Sequence, residues 1–160
     1  MKKAVFFYSW KGFTRKVAEV IGEKMSADLI EIREARERKG IRGFLGGILE
    51  AVRKKHINIV FPMQKPEEYD IVFLMTPIWA GNPSPAIRTF VEKTNWADKK
   101  TVVVVTQGAG GNSYTEKIKL FMENNQANVL SGIYFRDKTP EDAIREKIDE
   151  LKRGIKDLGD

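Results

Sequence analysis

The 160-residue chain has no cysteine, and that absence excludes disulfide staples, thiol redox chemistry, iron–sulfur ligation and cysteine-based zinc sites. Any redox chemistry must therefore come from a bound cofactor, and cytoplasmic residence is the expectation for such a composition. There is one histidine, His56, which reads as a solvated or packed side chain rather than a catalytic one. No apolar run approaches the ~20 residues that a membrane span needs. The stretch from Met1 to Tyr8 meets Ser9 and Lys11 too soon for a signal peptide and reads as a strand. Neither the Gly-x-x-x-x-Gly-Lys-Ser/Thr loop nor the Gly-x-Gly-x-x-Gly fingerprint occurs, and no internal repeat, linker or low-complexity segment interrupts the chain. No metal site is expected, and no catalytic side chain stands out.

What is present is a globular composition, 42% apolar and 31% charged, that fits one domain over residues 1–160. Four short apolar blocks rich in β-branched and aromatic residues read as buried strands: Ala4 to Tyr8, Ile71 to Met75, Val102 to Val105 and Val129 to Phe135. Asp28 to Ile32 is a weaker fifth, suited to an edge. Helical stripes lie between them. Val17, Ala18, Val20, Ile21 and Met25 mark the first, and Ser84-Pro85 opens another carrying Ile87, Phe90 and Val91. Tyr114, Ile118, Phe121 and Met122 precede an Asn124-Asn125 stop. The last helix is expected to be capped by Thr139-Pro140-Glu141-Asp142 and to run through Ile144, Ile148, Leu151, Ile155 and Leu158. This alternation predicts a three-layer, doubly wound α/β domain with a five-stranded parallel sheet in the order 2-1-3-4-5. Ligands of such sheets bind outside the carboxyl ends of the strands, at the switch point between the first and third.

The net charge is +6, and most of it is local. Between Arg33 and His56, Arg33, Arg36, Arg38, Lys39, Arg42, Arg53, Lys54 and Lys55 face only Glu34, Glu37 and Glu50. A cationic patch there would attract an anionic partner. The same segment holds Ile41, Phe44, Leu45, Ile48, Leu49 and Val52 at helical spacing, with Gly40, Gly43, Gly46 and Gly47 among them. The leading reading is the second crossover helix packed on the sheet; a membrane-surface or partner-docking helix is the other.

Three loops at the expected carboxyl edge carry chemistry. Ser9-Trp10-Lys11-Gly12-Phe13-Thr14 places two hydroxyls, a cation and a glycine at a helix start, which suits a phosphate as well as it suits a plain cap. The stretch Thr76-Pro77-Ile78-Trp79-Ala80-Gly81, continuing to Pro85, is stiffened by prolines and presents an exposed-looking indole on which a flat aromatic ligand would stack, unless Trp79 packs over a neighbouring helix. Gln107-Gly108-Ala109-Gly110-Gly111-Asn112 is small enough for close approach to main chain, or is a flexible turn.

Taken jointly these residues resemble the flavodoxin-like family of short-chain FMN proteins, over nearly the whole chain. The family's phosphate loop, Ser/Thr-x-Thr/Ser-Gly-x-Thr, is matched by Ser9 to Thr14, and its flavin loop by Glu68 to Phe90, the more specific match. The resemblance implies FMN, with its phosphate on Ser9 to Thr14 and its ring between the Trp79 and Gly108 loops. It implies an electron-transfer protein shuttling between redox partners. An FMN-dependent NAD(P)H or quinone oxidoreductase and a non-enzymatic interaction module using the basic region 33–56 are the alternatives. Lys11 stands where the family has a hydroxyl, and the Gln107 loop lacks an aromatic, leaving one flavin face to a substrate, a partner or Tyr114. Family members are typically acidic and dock basic reductases; this chain is basic, so its redox partner is expected to present an anionic surface. A phosphoacceptor receiver domain shares the fold but needs acidic residues where Tyr8-Ser9 and Met75-Thr76 stand, and elements for sequence-specific nucleic-acid reading are missing.

Overall fold

The computed structural model describes residues 1–155. Five strands, β1 (Lys3–Phe7), β2 (Asp28–Glu31), β3 (Ile71–Trp79), β4 (Lys100–Gln107) and β5 (Asn128–Arg136), form a sheet in the order β2-β1-β3-β4-β5. Every neighbouring pair in that order is parallel. Helices α1 (Phe13–Met25), α2 (Gly40–Val52), α3 (Pro85–Glu92), α4 (Ser113–Asn124) and α5 (Glu141–Gly154) complete the crossovers. This is the doubly wound arrangement that the sequence predicts.

The continuous apolar runs arise because both faces of the sheet are covered. Alternate side chains of the inner strands divide between two cores. Val5, Phe7, Phe73, Met75, Val102 and Val104 meet Val17, Ile21 and Met25 of α1 and Ile144, Ile148 and Leu151 of α5. Phe6, Val72, Leu74, Val103 and Val105 meet Ala51 of α2, Ile87 and Phe90 of α3, and Ile118 and Met122 of α4.

The helix ends follow the expected chemistry with one exception. Ser84 Oγ accepts the Ile87 amide (3.4 Å) with Pro85 at the first helical position, and α4 stops at Asn124-Asn125. No side chain caps α5. Its Ncap is Pro140, and the Thr139 hydroxyl instead donates to the Arg136 carbonyl (2.6 Å), while Glu141 and Asp142 in the first turn complement the helix dipole. The helix ends at Gly154, so Ile155 joins the core from an extended backbone rather than as part of the stripe, and Leu158 lies outside the described residues. Two-residue antiparallel ladders, Arg33–Glu34 with Ile59–Val60 and Ile78–Trp79 with Asn82–Pro83, are too short to leave a periodic signal.

The second crossover helix departs most from expectation. α2 does lie against the sheet layer, but its buried residues are Gly47 and Ala51, with Phe44 and Ile48 half-buried beside the core. Ile41, Leu45, Leu49 and Val52 are exposed. Small residues let the backbone approach closely, so the large aliphatic side chains of the neighbouring arc are left facing outward.

Ion pairs tie α1 to α5. Lys24 Nζ sits 2.7 Å from both Asp149 carboxylate oxygens, and the Arg145 guanidinium forks onto Glu23 at 3.0 and 2.7 Å. The Arg145 hydrogen bonds and charge hold the Glu23 carboxyl below its usual range, and the Lys24 hydrogen bond does the same for Asp149. A depressed folded pKa means stabilisation present above the ordinary carboxylate value and lost as pH falls through the lower folded one. The Glu23→Gln/Asp149→Asn variant is therefore expected to lose less thermal stability than the unmodified protein between about pH 5 and about pH 3. Thermal melts at the two pH values check this, and the difference is small because the pairs are exposed.

Candidate functional site

The carboxyl ends of β1, β3 and β4 bring the three predicted loops to one edge of the sheet. In the first, Gly12 takes a φ of +92°, which L side chains rarely adopt, and turns the chain directly into α1. Ser9 Oγ accepts hydrogen bonds from the Gly12 and Arg15 amides, both at 3.2 Å. The serine hydroxyl thus already organises amides around the N-terminus of α1, where the helix dipole favours an anion. Open space lies beside Gly12: no atom comes within 4 Å of a Cβ placed there. Thr14 is buried, and its hydroxyl lies 2.8 Å from that of Thr106, which fastens the first loop to the end of β4. Lys11 Nζ sits over the Trp10 ring (4.7 Å) and the Phe44 ring (5.6 Å), and Phe13 packs beside the core of α1 and α5.

The second loop is a tight hairpin. β3 runs on through Thr76, Pro77 and Ile78 to Trp79, and the chain reverses over Ala80 and Gly81, both at positive φ, into Asn82–Pro83. Two consecutive positive φ values are what a two-residue hairpin turn demands. The Asn82 side-chain amide donates to the Ala80 carbonyl (2.9 Å), and Lys117 Nζ donates to Asn82 Oδ1 (3.2 Å), pinning the turn to α4. Thr76 Oγ1 accepts the Ser84 amide at 3.0 Å.

The indole expected to be exposed is not. Trp79 is 5% exposed and sits in an aromatic box, edge-on to Tyr8 (5.9 Å), Trp10 (6.2 Å) and Phe44 (5.8 Å). Trp10 itself stacks on Phe44 at 4.7 Å and 7°. α2 closes the box: a Cβ on Gly47 would overlap the Trp79 ring, so only glycine admits the helix at this distance. Trp79 therefore packs over a neighbouring helix, and the ring that remains at the edge of the box is Trp10.

Beneath the indole lies a charged network that the sequence does not announce. Arg38 Nε donates to Glu34 Oε1 (2.8 Å), its terminal nitrogens to Glu50 Oε2 (2.5 Å) and the Gly43 carbonyl (3.2 Å), and its guanidinium sits 5.5 Å from the Trp79 ring centroid. Burial opposes the Arg38 charge, yet the hydrogen bonds and charges of Glu34 and Glu50 outweigh it and raise the pKa. Burial and then the Glu34 charge push the Tyr8 hydroxyl far above the ordinary phenol range, so it stays protonated. Arg38 is thus a largely covered, paired cation, its side chain 10% exposed, and no member of the exposed basic patch.

In the third loop, Gln107 is buried; its side-chain amide donates to the Gly111 carbonyl (3.1 Å), while Oε1 has no hydrogen-bond partner. Gly108, Ala109, Gly110 and Asn112 are exposed, and Arg136 donates to the Gly110 carbonyl (3.2 Å). Tyr114 spans the second and third loops: a Cβ on Gly81 would meet its ring at 3.2 Å, and one on Gly110 at 2.6 Å. The sequence names Tyr114 only as one possible cover of an open face; its place between two positive-φ glycines is the signal that connects it to both loops. His56 is half-exposed and pairs with Glu92 at the end of α3, away from these loops.

The family model described as Flavodoxin matches residues 49–151. No curated protein matches the chain. Among solved structures, a candidate flavoprotein from Bacteroides uniformis superposes with a TM-score of 0.76 at 22% identity, covering 92% of this chain and 97% of that one. Another from Bacteroides eggerthii gives 0.74 at 25% identity, covering 94% and 97%. A flavoprotein from Lactobacillus acidophilus in complex with FMN gives 0.72 at 19% identity, covering 93% and 97%.

Proposed function

Because the chain belongs to the flavodoxin family, we propose that it binds FMN across the three loops at the carboxyl ends of β1, β3 and β4 and passes electrons between redox partners. The observation that carries this reading is the unpartnered Oε1 of buried Gln107 in the third loop, alongside the open space beside Gly12 at the N-terminus of α1. A buried acceptor without a donor is costly, and the flavin ring offers an N–H that would satisfy it. FMN is the group that the Lactobacillus acidophilus relative holds.

Bound FMN supplies reversible transfer of one or two electrons. The chain's own residues do the rest. Ser9, Gly12, Phe13 and Thr14 hold the phosphate through amides and hydroxyls without a metal, and Lys11 adds charge close by. Thr76 to Gly81 and Gln107 to Asn112 line the ring, with main chain available where glycine leaves room. Trp10, Trp79 and Tyr114 exclude water from it. Tyr8, held protonated by burial and by the neighbouring Glu34 charge, adds no charge of its own to the wall of the aromatic box.

An oxidoreductase that takes hydride from NAD(P)H is favoured by one observation. An open groove of about 1030 Å³ runs beside α2, where Arg36, Arg38, Lys39, Arg42 and Lys55 outnumber Glu34, Glu37 and Glu50, and this excess of positive charge suits a donor bearing phosphates. The absorption spectrum of protein loaded with FMN and desalted, followed by stepwise anaerobic reduction, separates the readings. A retained flavin band that bleaches through a distinct one-electron stage is the result expected of a carrier. Bleaching in a single two-electron step, with turnover of NADH or NADPH and a quinone, supports the enzyme, and loss of all flavin on desalting refutes both.

A further inference from the structure

The outward face of α2 combines two features that the electron-carrier reading leaves unused. Ile41 is 77% exposed, Leu45 59%, Leu49 47% and Val52 53%. At 100° per residue these four occupy an arc of about 80°, and Arg42 and Arg53 follow roughly 20–40° beyond its edge. The adjoining arc holds Phe44, Gly47, Ile48 and Ala51 against the core. Past the helix, Arg53, Lys54 and Lys55 continue in a turn whose amides bond back to Leu49, Ala51 and Glu50, so basic side chains cluster at the end of the apolar ridge. Arg36, Lys39 and Arg42 do the same at its start, all of them exposed, with Glu37 3.9 Å from Lys39 offsetting one of the three charges.

An aliphatic ridge with arginine and lysine along its border and at both ends is the pattern of a helix lying in a membrane interface. We propose that α2 docks this protein in-plane on an anionic lipid surface, with Ile41, Leu45, Leu49 and Val52 entering the headgroup boundary and the flanking basic residues meeting anionic headgroups. Charge decides among occupants. A second copy of the chain packed antiparallel on this face would bring Arg42 of one copy to the Arg53 end of the other, like charge against like. A protein partner is served by aromatic or arginine anchors seated in pockets, whereas this ridge is convex and aliphatic. An anionic leaflet attracts the local excess of positive charge within a Debye length and yields to the shape of the ridge. Phe44 and Gly47 on the inner arc touch Trp10 and Trp79, so the docked surface lies about one helix diameter, ~10 Å, from the proposed flavin site.

The test is vesicle co-sedimentation at low ionic strength, and it reads no flavin, so its outcome is separable from that of the FMN reading. The full chain is expected to pellet with vesicles of phosphatidylcholine and phosphatidylglycerol and to stay in solution with phosphatidylcholine alone. Each basic residue at such a surface contributes roughly fivefold in partitioning, so Arg42→Glu/Arg53→Glu is expected to lower it by at least about twenty-fivefold. Leu45→Gln/Leu49→Gln, with both positions already solvent-facing and the fold checked by circular dichroism, is expected to lower it by at least about tenfold. Pelleting that survives the glutamine pair overturns the proposal in favour of charge adsorption alone. Absence of pelleting also overturns it, and self-association sensitive to the glutamine pair would then assign the ridge to a second copy.

Discussion

Ser9→Ala is expected to weaken FMN binding by about tenfold to a hundredfold, the loss of one hydrogen bond to a charged oxygen, while riboflavin affinity stays within about twofold. The selectivity follows because Ser9 meets only the phosphate end of the site. Its hydroxyl sits 3.2 Å from the Gly12 and Arg15 amides, so the serine also shapes the turn in the absence of ligand. Adding Thr14→Val should deepen the loss for FMN, but it carries a second cost. The Thr14 hydroxyl lies 2.8 Å from that of Thr106, and valine leaves the latter buried and unpaired, which destabilises the fold by about 1–3 kcal/mol whatever is bound. Isothermal titration with FMN and riboflavin, beside thermal melts of both variants, separates the two effects. Equal losses for the two ligands in Ser9→Ala would place the phosphate elsewhere.

The sheet was readable because each inner strand is covered on both faces, so Val102 to Val105 and Ile71 to Met75 are apolar without interruption and cannot be mistaken for an amphipathic surface element. The three loops were readable because their order along an alternating β–α chain puts them at one edge. The placement of α2 was not. Its sequence is apolar around most of its circumference, and periodicity alone does not say whether Ile41 and Leu45 or Gly47 and Ala51 face inward. The close approach of Gly47 to Trp79 decides it, and that contact joins residues 32 positions apart. The burial of Trp79 has the same origin, since the walls of its box come from Tyr8 and Trp10 in the connection after β1 and from Phe44 on α2. Gln107 was readable as a loop residue, but the orphaned Oε1 depends on tertiary burial that no local pattern encodes. Likewise Arg38 is one of eight basic residues in its segment, and only the fold separates the buried cation from the solvated ones.

That separation also sets the stability cost of replacing Arg38. Arg38→Met should destabilise the protein by about 1–3 kcal/mol, because it removes the counter-charge and hydrogen-bond donor from a Glu34 side chain that is 9% exposed. The Gly43 carbonyl loses a donor at the same time, and the Trp79 ring loses the cation 5.5 Å from its centroid. Adding Glu34→Gln should recover a substantial part of the loss, since the amide leaves no buried charge uncompensated, even though it restores no contact to Trp79. Urea unfolding of the two single variants and the double variant closes the cycle. Strong non-additivity places the role of Arg38 in neutralising Glu34. Additive losses, with FMN affinity falling in step in both Arg38 variants, would instead locate its role in holding the aromatic box against α2, and the paired carboxylates would then be bystanders.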